Sequence, residues 1–501
     1  MQDAMKQTIK ASHLFWIFFL TYAFLWTLAP SIMRFVTPMD ATEGAMWAHT
    51  LQWGYPRDPW LNALLTKVAL FISGNHDWSI YLFSQLMALI AFWSVWRLGR
   101  LIFKNDYLAL FAAVILIAIQ YYNLAIIDFN DNACELGLWP LMALYFYRSI
   151  TTNRLKHWLL LGIIAGLAMM AKYYTAVPLV AMLLFIVFEK SLHRHLINWK
   201  LYLSLIILVI ICIPHIVWLV NYGFITIHYS MDKVDSHIHE SILQKHFGYA
   251  LHFFFAQIGT FMGAVALFLF GYIGKTKNKP TLNNKTNIGA FNAKFLFLVG
   301  FGPTLITVLI SIIGGWNIHT MWGIPLLSLW GLILIALAKP ILTTSKLKRL
   351  IAMASFITVL LLVGYSVSLS RSKTSSANYP AREIAQIVTN EWHQRYNTKL
   401  EYIAGFNKPI SYITRYSKDH PMALIAFDPK LNPALDMHDL RQKGAVFILV
   451  PQMEGTTTFP KEVLAQYPDL VIVPYQEIPW KRAKPNQQPM RFQIAFLPPR
   501  P

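Results

Sequence analysis

Charge is what this chain has least of. Asp, Glu, Lys and Arg make up 13% of its 501 residues, where a soluble domain carries about 25%. That shortage excludes an ordinary soluble globular protein. Acids are scarcest, 24 against 43 Lys and Arg, for a net charge of +19. Cysteine is nearly absent. Cys134 and Cys212 lie in apolar segments without metal-ligand spacing, which excludes a disulfide framework or a cysteine zinc site and leaves the redox compartment unread. No internal repeat is visible. The first apolar segment is too long, and lacks the small-residue cleavage site, for a cleavable signal peptide.

What is abundant is apolar: hydrophobic residues make up 56% of the chain. Runs near the roughly 20-residue spanning length fall at about 14–33, 79–97, 107–124, 132–150, 157–171, 174–189, 201–221, 247–273, 295–313, 322–338 and 350–369. About eleven crossings are predicted. With the N-terminus in the cytoplasm, one set of loops gathers Lys6, Lys10, Arg97, Arg100, Lys104, Arg154, Lys156, Lys190, Arg194, Lys200, Lys275, Lys277, Lys279, Lys285, Lys294, Lys339, Lys346, Lys348 and Arg349. The opposite set gathers Asp40, Glu43, Asp58, Asp77, Asp128, Asp131, Asp232, Asp235 and Glu240. This is positive-inside asymmetry, and it accounts for the basic balance without nucleic-acid binding. The Lys275–Lys294 stretch reads as a cytoplasmic connector.

An odd number of crossings places the C-terminal part outside the cytoplasm. Composition turns polar at Arg371-Ser-Lys-Thr-Ser-Ser-Ala-Asn378. A helical pattern over 381–395 and strand-like stretches at 401–405, 423–427, 445–450, 470–473 and 492–496 predict a small α/β domain over 371–501. Its tail is Pro-rich.

Chemistry-bearing residues gather on the outer side. Asp40 and Glu43 follow the first span at i,i+3, one face of a helix, where paired carboxylates suit a general base; the alternative is a helix cap at Asp40 with acids in the first turn. Asp128, Asn130, Asp131 and Asn132 offer oxygen atoms to a sugar or a divalent cation, or form a turn and helix cap. Lys172 ends a short apolar run at membrane depth, as a point charge for phosphate or a snorkelling side chain. Trp316, His319 and Trp322 share a short turn. The tryptophans fit an interfacial belt and equally a sugar-stacking face. The loop 222–246 holds His228, His237, His239 and His246; His237-x-His239 has the form of a metal pair, and a solvated loop is the alternative.

In order and spacing these motifs resemble the lipid-carrier-dependent glycosyltransferases of family 39, which have the GT-C membrane fold. That group includes the protein O-mannosyltransferases and the bacterial aminoarabinose transferases of lipid A. The resemblance rests on Asp40 followed thirteen residues later by Trp53-Gly54-Tyr55 and a Pro-containing tract, on Phe129-Asn130-Asp131-Asn132, on Gly162 through Lys172-Tyr173-Tyr174, and on Trp322-Gly323-Ile324-Pro325. It spans nearly the whole chain. Two departures stand out: Ala41 follows Asp40 where many members have Asp-Glu, and the acidic-basic-Pro-Pro tract appears as Arg57-Asp58-Pro59-Trp60.

The resemblance implies a GT-C-like transmembrane catalytic domain over 1–370, with outer juxtamembrane helices, plus the extracytoplasmic domain. It implies a multi-pass protein of the bacterial inner membrane, periplasmic at its C-terminus. The sugar comes from a polyprenyl-phosphate carrier, in bacteria usually undecaprenyl phosphate, and goes to lipid A, another glycan or a protein. Asp40 maps to the family's base, with Glu43 beside it. Arg57, Lys172 and His319 are the candidates for the donor phosphate. Asp128, Asn130, Asp131, Trp316 and Trp322 are the candidates for the sugar, the acceptor or a divalent cation. The rival readings are a non-catalytic transporter or flippase for lipid-linked sugars, for which inverted repeats are expected, and a GT-C oligosaccharide ligase or polymerase.

Overall fold

The computed structural model describes residues 10–234, 240–273, 281–283, 287–372 and 375–500. His237, His239, Asp235, Lys275, Lys277, Lys279 and Lys285 lie outside the described residues, as do Lys6 and the first residues of the chain.

Helix α1 (Ala11–Met33) shows how the bundle is built. Phe15, Phe19, Tyr22, Trp26 and Pro30 are buried at the i, i+4, i+7 spacing of a single helical face. Ile17, Phe24 and Ile32 on the other faces are more than 60% exposed, as lipid-facing residues are. The buried rings stack on α4 (Trp78–Phe103): Phe15 on Trp96 at 4.5 Å and Phe19 on Phe92 at 4.3 Å between ring centres.

Among the described residues, seven helices are long and apolar enough to cross a membrane: Ala11–Met33, Trp78–Phe103, Trp199–Asn221, Gln244–Tyr272, Gly289–Gly314, Thr320–Ala338 and Thr344–Arg371. The other four expected segments are helical too. Leu155–Met169 and Tyr173–Phe188 are short, and Asp131–Thr152 carries polar residues in its first turns. The expected run at 107–124 is broken by a 90° bend between Asp106–Ala118 and Gln120–Ile127. Hydropathy shows no break there, because the bend is made by backbone geometry at Ile119. Asn123 Nδ2 donates to the carbonyls of Ile117 and Ile119 at 3.0 and 2.9 Å, satisfying groups that a broken helix leaves open inside a bilayer.

Two short helices lie outside the spans near one end of the bundle, α2 (Met39–His49) and α3 (Leu61–Ile72). They face a mixed sheet of order β2-β1-β3-β6-β4, with β5 paired to β6. Strand β1 (Tyr402–Gly405) runs parallel to β2 (Met422–Ile425) and β3 (Ala445–Leu449). Strand β6 (Met490–Leu497) runs antiparallel to β3, β4 (Val471–Ile472) and β5 (Gln476–Ile478). The first, third and last of these strands are largely buried, and β5 is the one strand that strand propensity does not predict. The sheet is fastened to the bundle by Arg415, which is buried and donates to Asp77 Oδ1 at 2.7 Å and to the Asn75 carbonyl at 2.8 Å.

Candidate active site

The bend after Ile119 returns the chain to the bundle end, where Asp128 reaches α2. Its Oδ1 accepts the Ala41 amide at 2.8 Å and its Oδ2 the Asp40 amide at 3.4 Å. The first amides of a helix lack intrahelical acceptors, and Asp128 supplies them from 88 residues away. This corrects the cap reading of Asp40. The N-cap residue is Pro38 without a side-chain bond, and Asp40 stands in the first turn with its carboxylate free to face a cavity.

Asn130 fixes that carboxylate. It caps helix α6 (Asp131–Thr152), its Oδ1 accepting the Ala133 amide at 3.1 Å, while its Nδ2 donates to Asp40 Oδ2 at 3.0 Å. Glu43, one turn after Asp40, is 4% exposed. Arg57 Nη1 donates to its Oε2 at 3.0 Å and Asn407 Nδ2 to its Oε1 at 2.9 Å. Burial pushes the Glu43 carboxyl up to about 7; Arg57 opposes this and Asp40 adds to it. Burial raises Asp58 as well, with Asp131 adding to it.

The loop carrying Arg57 and Asp58 is pinned at both ends. Tyr55 stacks on Trp47 with ring centres 4.9 Å apart and donates through its hydroxyl to the Trp47 carbonyl at 3.1 Å. A β-bridge joins Gly54 to Pro59. A side chain at Gly54 would collide with Trp218 and His215, so the Trp-Gly-Tyr tract requires glycine for close approach. Thr226 Oγ1 then donates to the Tyr55 carbonyl at 2.6 Å, which docks helix α10 (Ile225–Val234) on this loop. Arg57 lies over the Tyr229 ring at 5.4 Å.

Lys172 sits opposite. Its Nζ is 2.7 Å from Asp131 Oδ2, donates to Asn132 Oδ1 at 2.8 Å, and lies 4.8 Å from the centre of the Trp322 ring. His319 packs near Trp322, with ring centres 6.1 Å apart.

These groups enclose two adjoining cavities. The polar one, 370 Å³, is lined by Asp40, Glu43, Arg57, Asp58, Asn130, Asp131, Asn132, Lys172, Lys233, His319 and Trp322, with Trp47, Asn62, Tyr229, Thr320 and Met321. The other, 310 Å³, is mainly apolar and runs along Tyr173, Tyr174, Val177, Ile227, Met231, Val234, Thr307, Ile310, Trp316 and Ile318. Arg57, Asp58, Asp131, Lys172, Tyr229, Lys233 and Trp322 line both, so three cations stand where the cavities meet.

Nearly all the candidate residues therefore meet around one space. Trp316 lines the apolar cavity alone, and Asp128 serves α2 rather than lining either. Sequence reasoning passed over Lys233, Tyr229 and Asn407, and gave Asp58 no role of its own. The first two lie in a loop expected to be solvated, whose Thr226, Tyr229 and Lys233 are spaced i, i+3, i+7, the mark of one helical face. Among the described residues no three His, Cys, Asp or Glu side chains are grouped as metal ligands. Asp131 is taken by Lys172, and both oxygen atoms of Asp128 accept amides. The donor set fits a divalent cation poorly.

Residues 56–218 match the family model described as dolichyl-phosphate-mannose-protein mannosyltransferase, a stretch holding Arg57, Asp58, Asn130, Asp131 and Lys172. Two relatives, the lipopolysaccharide core galacturonosyltransferases RgtA and RgtB of Rhizobium johnstonii, are 24% identical over 194 residues and 25% over 185. These alignments cover 38% and 36% of this chain, and 39% and 37% of the relatives, so the matched part is under two-fifths of their length. Over nearly the whole chain the fold is similar to the crystal structures of ArnT from Cupriavidus metallidurans. The apo form gives a TM-score of 0.61 at 12% identity, covering 97% of this chain and 98% of ArnT. The form bound to undecaprenyl phosphate gives 0.58 at 13%, covering 95% and 97%. The chain thus has an ArnT-like GT-C membrane fold, and its residues 56–218 are similar to the dolichyl-phosphate-mannose-protein mannosyltransferase family.

Proposed function

We propose that the protein is a glycosyltransferase that moves a sugar from a polyprenyl-phosphate carrier to an envelope acceptor. The reaction takes place at the non-cytoplasmic face of the bacterial inner membrane. The observation that carries this reading is the junction of an apolar cavity with a polar one at Arg57, Lys172 and Lys233. A polyprenyl-phosphate sugar has the matching form: an apolar chain, an anion, then a sugar. The relatives' names supply the reaction class, and the ArnT structure bound to undecaprenyl phosphate supplies a precedent for such a carrier in this fold.

The chemistry is a single displacement. Asp40, exposed and held by Asn130, takes the proton of the acceptor hydroxyl as its oxygen attacks the anomeric carbon. The bond from that carbon to the phosphate oxygen breaks, and its electron pair leaves with the polyprenyl phosphate. Charge on the phosphate grows as the bond breaks, so the three preplaced cations stabilise the transition state more than the ground state. Glu43 is already committed to Arg57 and Asn407; its role is to hold Arg57. Lipid A and lipopolysaccharide core glycans are the first acceptors to supply.

The test is Asp40→Asn in purified membranes given polyprenyl-phosphate sugar and lipid A or core acceptor. Loss of a general base costs about 10²- to 10⁴-fold in rate. Transfer by D40N at the wild-type rate would overturn the assignment of the base. Wild-type membranes without transfer from any polyprenyl-phosphate sugar would overturn the reaction.

A further inference from the structure

We infer that Asn407, from the C-terminal sheet region, is a positioning residue of the transfer site, so that the site is incomplete without that region. The inference rests on the reading of Arg57 as a ligand of the donor phosphate. Asn407 opens the helix Asn407–Tyr416, which packs on α2 in front of the sheet. Its Nδ2 donates to Glu43 Oε1 at 2.9 Å across 364 residues of sequence, and Arg57 takes the other oxygen of the same carboxylate.

Asn407 is itself held. The Ser411 hydroxyl lies within hydrogen-bond reach of its side-chain Oδ1 at 3.4 Å and of its backbone carbonyl at 2.6 Å, and approaches the Met46 sulfur at 3.5 Å. The amide thus sits in a fixed chain running from the sheet region through Glu43 to Arg57. Glu43 is 4% exposed, so most of its donors have to come from the protein. A buried carboxylate oxygen left without its partner moves or takes up a proton, and either change releases Arg57. The charged groups that act on Glu43 are Asp40 on its own helix and Arg57 and Asp58 on the loop. Asn407 is the neutral donor that completes its shell.

A residue acting through Arg57 should lose its influence once Arg57 is gone, and this separates positioning from general support of the fold. The experiment is a cycle of Asn407→Ala and Arg57→Ala, singly and together, reading KM for the polyprenyl-phosphate sugar and kcat in membranes. N407A is expected to raise the donor KM about tenfold, the effect of one lost hydrogen bond to a charged group, with a smaller fall in kcat. In the R57A background the same change should alter KM less than twofold. Asn407→Gln, which keeps a donor, should recover part of the loss.

An equal tenfold effect in both backgrounds would overturn the inference, since that is what looser packing gives. A wild-type KM in N407A would overturn it too. If N407A behaves as wild type while D40N is inactive, the positioning role fails and the transferase reading stands. If no variant and no wild type transfers, the reading beneath both has failed.

Discussion

Replacing Lys172 with methionine separates the two things its ammonium does. The first is structural. Lys172 and Asp131 are 14% and 12% exposed and 2.7 Å apart, so removing the cation strands a carboxylate at membrane depth. Breaking a buried pair from one side costs about 3–5 kcal/mol, and K172M should melt at a clearly lower temperature in detergent. Asp131→Asn alone should also destabilise. The double variant K172M/D131N removes both charges at nearly constant volume, and replacing a whole buried pair by less polar groups is close to neutral. Its melting temperature should rise well above that of K172M, stopping short of wild type because Glu135 and Asp58 also face the ammonium. The second role is chemical. The double variant still lacks a cation at the junction of the cavities, and one charge-assisted bond to phosphate is worth about 1.5–3 kcal/mol. Its kcat/KM for the polyprenyl-phosphate sugar should therefore stay down by about 10- to 100-fold. Recovered folding with unrecovered transfer is the required outcome. A double variant that transfers like wild type would refute the phosphate role of Lys172, and K172M melting like wild type would refute the buried pair.

Two further outcomes follow from the same geometry. Glu43 has an ordinary value of 4.5 and a folded-state value of about 7, so its protonated form is favoured by folding. Its burial carries no penalty below about pH 4.5, and the penalty grows as pH rises, reaching about 3 kcal/mol above pH 7. Wild type should lose melting temperature between pH 5.5 and pH 8.5, and Glu43→Gln should flatten that slope; equal slopes would count against a buried, proton-hungry Glu43. Asp128→Ala removes the acceptor of two α2 amides, a loss of about 0.5–2 kcal/mol on the scale of a helix cap. Because Asp40 stands in that turn, transfer should fall in D128A while Asp128→Asn, which keeps an oxygen, falls less; equal transfer by both and by wild type would remove Asp128 from the site.

The spans were legible because both their packed and their lipid-facing side chains are apolar, a run length that hydropathy reads directly. What hydropathy missed was set by contacts between distant parts. The bend in the segment 106–127 depends on Asn123 bonding back to Ile117 and Ile119, and nothing in the local apolar pattern announces it. Helix α10 is polar enough to read as a solvated loop, yet Thr226 binds it to the Tyr55 carbonyl and thereby places Tyr229 and Lys233 over the cavities. Strand β5 is three residues long and is held by a partner, β6, that begins a dozen residues later.

The carboxylates show why a cluster can be seen in a sequence while its division of labour cannot. Asp40, Glu43, Asp128 and Asp131 are chemically near-identical groups gathered near helix ends. Each is given its task by what donates to it. Asp128 accepts two backbone amides and holds a helix start; Asp131 accepts Lys172; Glu43 accepts Arg57 and Asn407. Asp40 accepts from a neutral amide, Asn130, and is the most exposed of these. A base has to keep a lone pair for the proton it removes. The lone pairs of Glu43, Asp128 and Asp131 are engaged by cations or helix amides, which supports the proposed role of Asp40 as the base, and those three hold its helix and the cations in place.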